Sequence, residues 1–143
     1  VPELAESNRF TIAVPNKFYI DTVCGITLQS KVDLNLRYIL GLLNSSLIEW
    51  LYKQTTVPKA NSFYIYKTMF LKRIPIRMID FKNYDDVNHY DRIISLVDQI
   101  LSLKKPDPQA DIGALEAEID QLVYKLYNLT PEEIKIVEES LRR

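Results

Sequence analysis

Glycine, cysteine and histidine are scarce in this chain, and each scarcity closes a class of function. Of its three glycines, Gly25, Gly41 and Gly113, none has the neighbours of a phosphate-cradling loop, so classical nucleotide binding lacks support. Cys24 is the single cysteine and has no internal disulfide partner, which points to a reducing compartment. With His89 as the single histidine, a structural zinc site built from Cys and His within the chain is excluded. Cys24 stands among β-formers and is expected as a small core side chain rather than a nucleophile. His89, near a helix start, is expected to be exposed or locally hydrogen-bonded. No apolar run approaches the ~18 residues of a membrane span, and the opening VPELAESNRF has neither the charge nor the apolar core of a signal peptide. There is no initiator Met, so a processed chain or a fragment of a larger protein is expected.

The 143 residues are 47% hydrophobic, 10% aromatic and 26% charged, which argues against a disordered or low-complexity chain. A monomer of this size buries roughly 68–70% of its unfolded surface, enough for a core without staples. The length fits one domain, or one domain with a helical appendage. A net charge of -1 hides an uneven distribution. Residues 1–83 hold eleven Lys or Arg against six acids, a net of +5, and residues 84–143 hold seven against thirteen, a net of -6. An anion-facing first half is therefore permitted.

In 10–28, β-branched and aromatic residues around Pro15, Asn16 and Gly25 predict short strands. A helix is expected over 33–53, where Leu36, Ile39, Leu40, Leu43, Leu47 and Trp50 recur at helical spacing. Gly41 and Asn44-Ser45-Ser46 interrupt it, either to let another element approach closely or to split it in two. Residues 55–62 read as a loop, 63–70 as a strand leading into a turn, and 71–80 as an edge strand or extended connector limited by Pro75. Helices are expected over 88–103 and 111–127. A last one should begin at Pro131, where Thr130 and Glu133 form a capping box, and bury Ile134 and Val137.

Carboxylates alone can hold Mg2+, but Asp85-Asp86 falls in an expected loop and Glu132-Glu133 and Glu138-Glu139 on a short solvated helix. Solubility and helix-end electrostatics account for them. Neither nuclease-like acid spacing nor the adenine-methyltransferase tetrapeptide is present. What remains is a basic and aromatic region, with seven basic residues and one acid in 53–82. Lys53, Lys59 and Lys67 are candidates for phosphate contacts. Asn61, Ser62, Tyr64 and Tyr66 offer hydrogen-bonding or stacking groups to bases, although Tyr64 and Tyr66 share strand parity and their face could equally be core, with Phe63 and Ile65 turned the other way. Arg9, Asn16 and Lys17 form a second polar cluster near strand ends.

The run YILGLLNSSLIEWLY at 38–52, FLKRIPI at 70–76, RIISLVDQILSLKK at 92–105 and EIDQLVYKLYNLTPEEIKIVEE at 118–139 follow one another in a familiar order. Together they resemble the TaqI-like C-terminal specificity domain of adenine-N6 DNA methyltransferases and fused type IIG restriction-modification enzymes. The resemblance implies an α/β (α+β) fold, with a small mixed target-recognition-like sheet, packed helices and a helical C-terminal extension. It implies a DNA target-recognition domain over 1–83, and a helical region over 84–143 that packs on it or on an absent methyltransferase core. The chain itself would not be an enzyme and would hold no cofactor. Its parent would bind S-adenosylmethionine, and Mg2+ if a nuclease is attached. The partners implied are double-stranded DNA and an upstream methyltransferase domain of the same chain, with no membrane, in a bacterial or archaeal cytoplasm. Asn44-Ser45 and Ile74-Pro75-Ile76 take scaffold roles. Asn128 stands where the family often has Gly, and Asn tolerates the left-handed backbone that a helix end can require. A different class of function, a helical module docking a parent enzyme or a partner protein, is also open because of the apolar faces and negative charge of the C-terminal helices.

Overall fold

The computed structural model describes residues 1–13, 23–59 and 62–141. Among them the fold is mixed, as expected: helices surround a two-stranded antiparallel sheet. Strand β1 is Leu4–Ala5 and β2 is Tyr64–Ile65, paired Leu4 to Ile65 and Ala5 to Tyr64. Helices α1 (Leu36–Asn44) and α2 (Ser46–Thr55) precede β2, and the short α3 (Thr68–Leu71) follows it. Three longer helices close the chain: α4 (Tyr84–Lys104), α5 (Gly113–Leu126) and α6 (Pro131–Leu141).

The apolar stretch of 33–53 is two helices rather than one. Ser45 is extended at φ -69°, ψ 153°; its N–H returns to the Leu42 carbonyl at 3.1 Å and its hydroxyl accepts the Ile48 N–H at 3.4 Å. One buried serine thus ends α1 and caps α2. The strands expected over 10–28 are not formed at 10–13 or 24–28, and 14–22 lies outside the described residues. Val1 and Cys24 exchange backbone hydrogen bonds at 2.9 and 3.1 Å, but Pro2, beside them, has no N–H, and the contact is an isolated bridge, Pro2 to Val23, rather than a ladder. The edge strand considered for 71–80 is likewise absent. Side-chain hydroxyls take the place of a neighbouring strand: Tyr127 donates to the Pro75 carbonyl at 2.6 Å and accepts the Arg77 N–H at 3.0 Å. Helix α4 starts earlier than its apolar spacing predicts, because Asn83 accepts the N–H groups of Asp85 and Asp86 at 2.9 and 3.2 Å. The acid pair expected in a loop therefore sits in the first helical turn, where the helix dipole favours it.

At Gly41, α1 and α4 approach closely: a Cβ there would stand 2.7 Å from Ile93 Cγ2 of α4 and 3.2 Å from Val97 Cγ2. Buried residues from Val1 to Val137 form one hydrophobic cluster that joins α1 and α2 to α4, α5 and α6. Tyr38, Leu42, Ile48, Tyr66, Ile93, Leu96 and Val123 are its most enclosed members. At the last turn, the Thr130 N–H donates to Glu133 at 2.8 Å and the Glu133 N–H to Thr130 at 3.3 Å, the capping box expected. Asn128 adopts φ 54°, the left-handed conformation. Val137 is buried and Ile134 half-buried.

Candidate nucleic-acid interface

The connection between α2 and β2 is fixed at its root. The Ile65 carbonyl accepts two hydroxyls, from Tyr52 at 2.8 Å and Thr56 at 2.6 Å. Further out, the Lys59 N–H donates to the Phe63 carbonyl at 2.7 Å, and Pro58 bridges Tyr64. Lys59 and Ser62 are both exposed beyond this root, and Ser62 has φ 63°, uncommon outside glycine. Asn61, Asn16 and Lys17 lie outside the described residues.

A second network ties this loop to the N-terminal segment. Lys53 pairs with Glu49 Oε1 one helical turn earlier, and its ammonium lies 5.3 Å from the centre of the Tyr64 ring. Its side chain is only 11% exposed, so Lys53 acts first as a strut between α2 and β2. Glu49 Oε2 accepts the Asn8 N–H at 3.4 Å. The Asn8 amide donates to the Leu43 carbonyl at 2.6 Å and accepts the Tyr66 hydroxyl at 2.8 Å. Tyr66 does face the core: it is fully buried and stacks on Tyr52 at 4.6 Å, and burial raises the pKa of both phenols. Asn44, at the end of α1, reaches the next residue along. Its amide oxygen accepts the Phe10 N–H at 2.9 Å, and its amide nitrogen donates to the Phe10 carbonyl at 3.0 Å. Arg9 lies exposed between these two anchored residues.

The basic count of 53–82 overstates its free charge. Besides Lys53, Arg77 is taken up internally, donating to the Leu126 carbonyl and to Asp86, both at 3.1 Å. Lys67 pairs with Glu3 at 3.3 Å while staying half exposed. Lys59, Lys72 and Arg73 are exposed and form no ion pair among the described residues. Lys72 and Arg73 did not stand out in the sequence, although they sit inside FLKRIPI. Their signal was their place just after a single helical turn, with nothing acidic near them in sequence.

Residues 1–76 match the family model of the TaqI-like C-terminal specificity domain. The chain belongs to this family. It is therefore a DNA-recognition domain of the restriction-modification enzymes. No curated protein matches it. The matched stretch carries both strands, α1 to α3, the loop and Arg9, whereas α4 to α6 lie beyond it.

A polar junction joins the specificity domain to those later helices. Ser46, the first residue of α2, donates its N–H to Asp120 Oδ1 at 2.7 Å and its hydroxyl to Oδ2 at 2.6 Å. Burial raises the Asp120 pKa, against the pull of the two Ser46 donors, with the charges of Glu138 and Glu49 adding to the rise. The neighbouring Tyr124 hydroxyl is pushed up to about 12, chiefly by burial. Asp120 lines a cavity of about 480 Å³ together with Arg9, Asn44, Glu49 and Glu116. Among the described residues no cluster of three or more His, Cys, Asp or Glu is placed to hold a metal ion. Nor is any helix among them long and apolar enough to cross a membrane.

Proposed function

We propose that this chain is the target-specificity module of an adenine-N6 DNA methyltransferase, alone or fused to an endonuclease as in type IIG restriction-modification enzymes. The observation that carries the reading is the family match over 1–76, on a scaffold that roots the α2–β2 connection, with Lys59 and Ser62 exposed, through two hydroxyls on one carbonyl. Lys59, Lys67, Lys72 and Arg73 would position the duplex by neutralising phosphates, and Ser62 with Asn61 would meet base edges. Asn16 and Lys17 belong to the same proposed surface. Lys53 and Tyr64 would support the loop from within rather than lead the contact. S-adenosylmethionine binding and adenine extrusion would belong to a methyltransferase domain upstream, and any Mg2+ chemistry to a nuclease domain. A cytoplasmic setting follows from that substrate.

The competing reading, a helical module for docking another protein, draws on α4 to α6. Their apolar residues Ile93, Val97, Ile119, Val123 and Val137 are buried in this chain's own core, which favours the DNA-recognition reading.

The test measures binding of duplex DNA across a salt series. Lys59→Glu and Lys67→Glu should each weaken binding and shallow the salt dependence by roughly one phosphate contact. Unchanged affinity and slope in both would reject the surface. For the parent enzyme, N6-methyladenine formed from S-adenosylmethionine in duplex DNA is the expected product. Methylation confined to cytosine would reject the adenine assignment.

A further inference from the structure

We infer that Arg9 is a base-reading residue of this domain, with Asn8 and Asn44 as its positioning residues, and that guanine is the base it fits. The inference rests on the DNA-recognition reading above and deepens it. Residues 7–13 have no regular secondary structure, so side-chain bonds define their course. On one side of Arg9, Asn8 is held through its N–H by Glu49 and through its amide by Leu43 and Tyr66. On the other side, Asn44 occupies both backbone polar groups of Phe10, as an adjacent strand would. The Phe10 ring is buried edge-on to Tyr66, with ring centres 6.1 Å apart. The residue between two such anchors is exposed, and its guanidinium forms no ion pair among the described residues. Glu49, the acid closest in this network, is already engaged by Lys53 and the Asn8 N–H.

Chemistry separates this site from the lysines around it. Neutralising a phosphate tolerates a mobile side chain, because the contact is a point charge. Reading a base demands a root held within about half an ångström. A guanidinium presents two parallel N–H donors, which match O6 and N7 of guanine in the major groove and no other base edge as well. Lys59 and Lys67 are held as well, by the Phe63 carbonyl and by Glu3, but a lysine offers only a point charge, so the guanidinium set between two anchors is the group suited to reading a base.

The experiment selects duplexes from a randomised library at low salt, using the full 143-residue chain and its Arg9→Ala, Arg9→Lys, Asn44→Ala and Asn44→Asp variants, with a thermal melt of each. The wild type should enrich a motif with one fixed guanine. Arg9→Ala and Arg9→Lys should lose the preference at that position by about tenfold or more while the other positions keep theirs. Arg9→Lys should also keep the salt slope. Asn44→Ala should blur the same single position without flattening the rest of the motif. If it unfolds, Asn44→Asp, which keeps the acceptor for the Phe10 N–H, supplies the readout. An unchanged guanine preference in Arg9→Lys would make Arg9 a phosphate contact and overturn the inference. So would a motif indifferent to Arg9→Ala, or wild-type binding without any sequence enrichment. No binding by the wild type at any salt would instead overturn the DNA-recognition reading for this chain, and the inference with it.

Discussion

At the scale of single residues, Gly41 shows how a small side chain sets helix packing. An added methyl would meet Ile93 Cγ2 at 2.7 Å, and the χ1 that places this carbon is held to one strongly preferred rotamer for a β-branched residue in a helix, so relief comes chiefly from movement of α4. Alanine gains about 1 kcal/mol of helix propensity over glycine, whereas overpacking a tight core costs roughly 1–3 kcal/mol. Gly41→Ala should therefore lower the melting temperature by a few degrees despite the better helix former. Ile93→Ala alone should cost about 2–5 kcal/mol, since Ile93 is fully buried. The double variant should be less destabilised than the sum of the two, because the new methyl occupies part of the space that Ile93 leaves. A chemical-denaturation cycle measures the coupling, and strict additivity would mean that α1 and α4 do not meet at this point.

At the scale of elements, the Asn44-Ser45-Ser46 junction divides three tasks among three adjacent side chains. Asn44 holds the N-terminal segment, Ser45 caps α2, and Ser46 binds Asp120 from α5. A break in the apolar helix was legible from the polar run as one of two alternatives, but Ser45 was not singled out there as a cap. The partner of Ser46 was not legible, since Asp120 lies 74 residues away and nothing in its surroundings, EIDQLVY, marks it as half-buried against α2. The same limit hid the internal roles of Lys53 and Arg77, which a count of charge along the chain cannot separate from exposed Lys59. The Asp120 junction has a pH consequence. Burial holds its folded-state pKa above the ordinary carboxylate value of about 3.9, so between those two values the folded chain binds more protons than the unfolded one. Its contribution to stability is full below about pH 4 and is lost as pH rises through the raised value. Glu116 shifts in the same direction, first by burial and then by the Asp120 charge. Asp120→Asn keeps the shape and an acceptor for the Ser46 N–H but removes the charge. The stability of this variant relative to wild type should rise between pH 4 and pH 7. A difference that is flat or falls over that range, measured by urea unfolding, would show that Asp120 is not held above its ordinary pKa.

At the scale of the whole molecule, the family match ends at residue 76 but the hydrophobic core does not. Composition changes sign near residue 84, and the sequence reads naturally as two parts there. Long-range packing joins them: Ile93 and Val97 close over Gly41, Arg77 reaches the end of α5, and Asp120 meets the start of α2. Apolar spacing made each C-terminal helix legible, but not which surface it would cover, because amphipathicity specifies a buried face without naming its partner. A truncation after residue 110 tests whether the matched region stands alone. It removes Ile119, Val123 and Val137 from the core and leaves the first turn of α2 without its carboxylate. Each buried side chain lost this way forfeits roughly 1.5–3 kcal/mol of burial, and a domain of this size holds only about 5–15 kcal/mol in total. The truncated chain should lose its cooperative thermal transition, or melt far below the full chain, and should bind the fluorescent probe ANS through its uncovered α1–α2 face. A second truncation, after residue 130, removes only α6 and Val137 and should keep a cooperative transition at reduced temperature. If the chain ending at 110 instead melts as sharply and as high as the full protein, the specificity domain is complete without α5 and α6, and the Ser46–Asp120 junction is surface decoration rather than part of the fold.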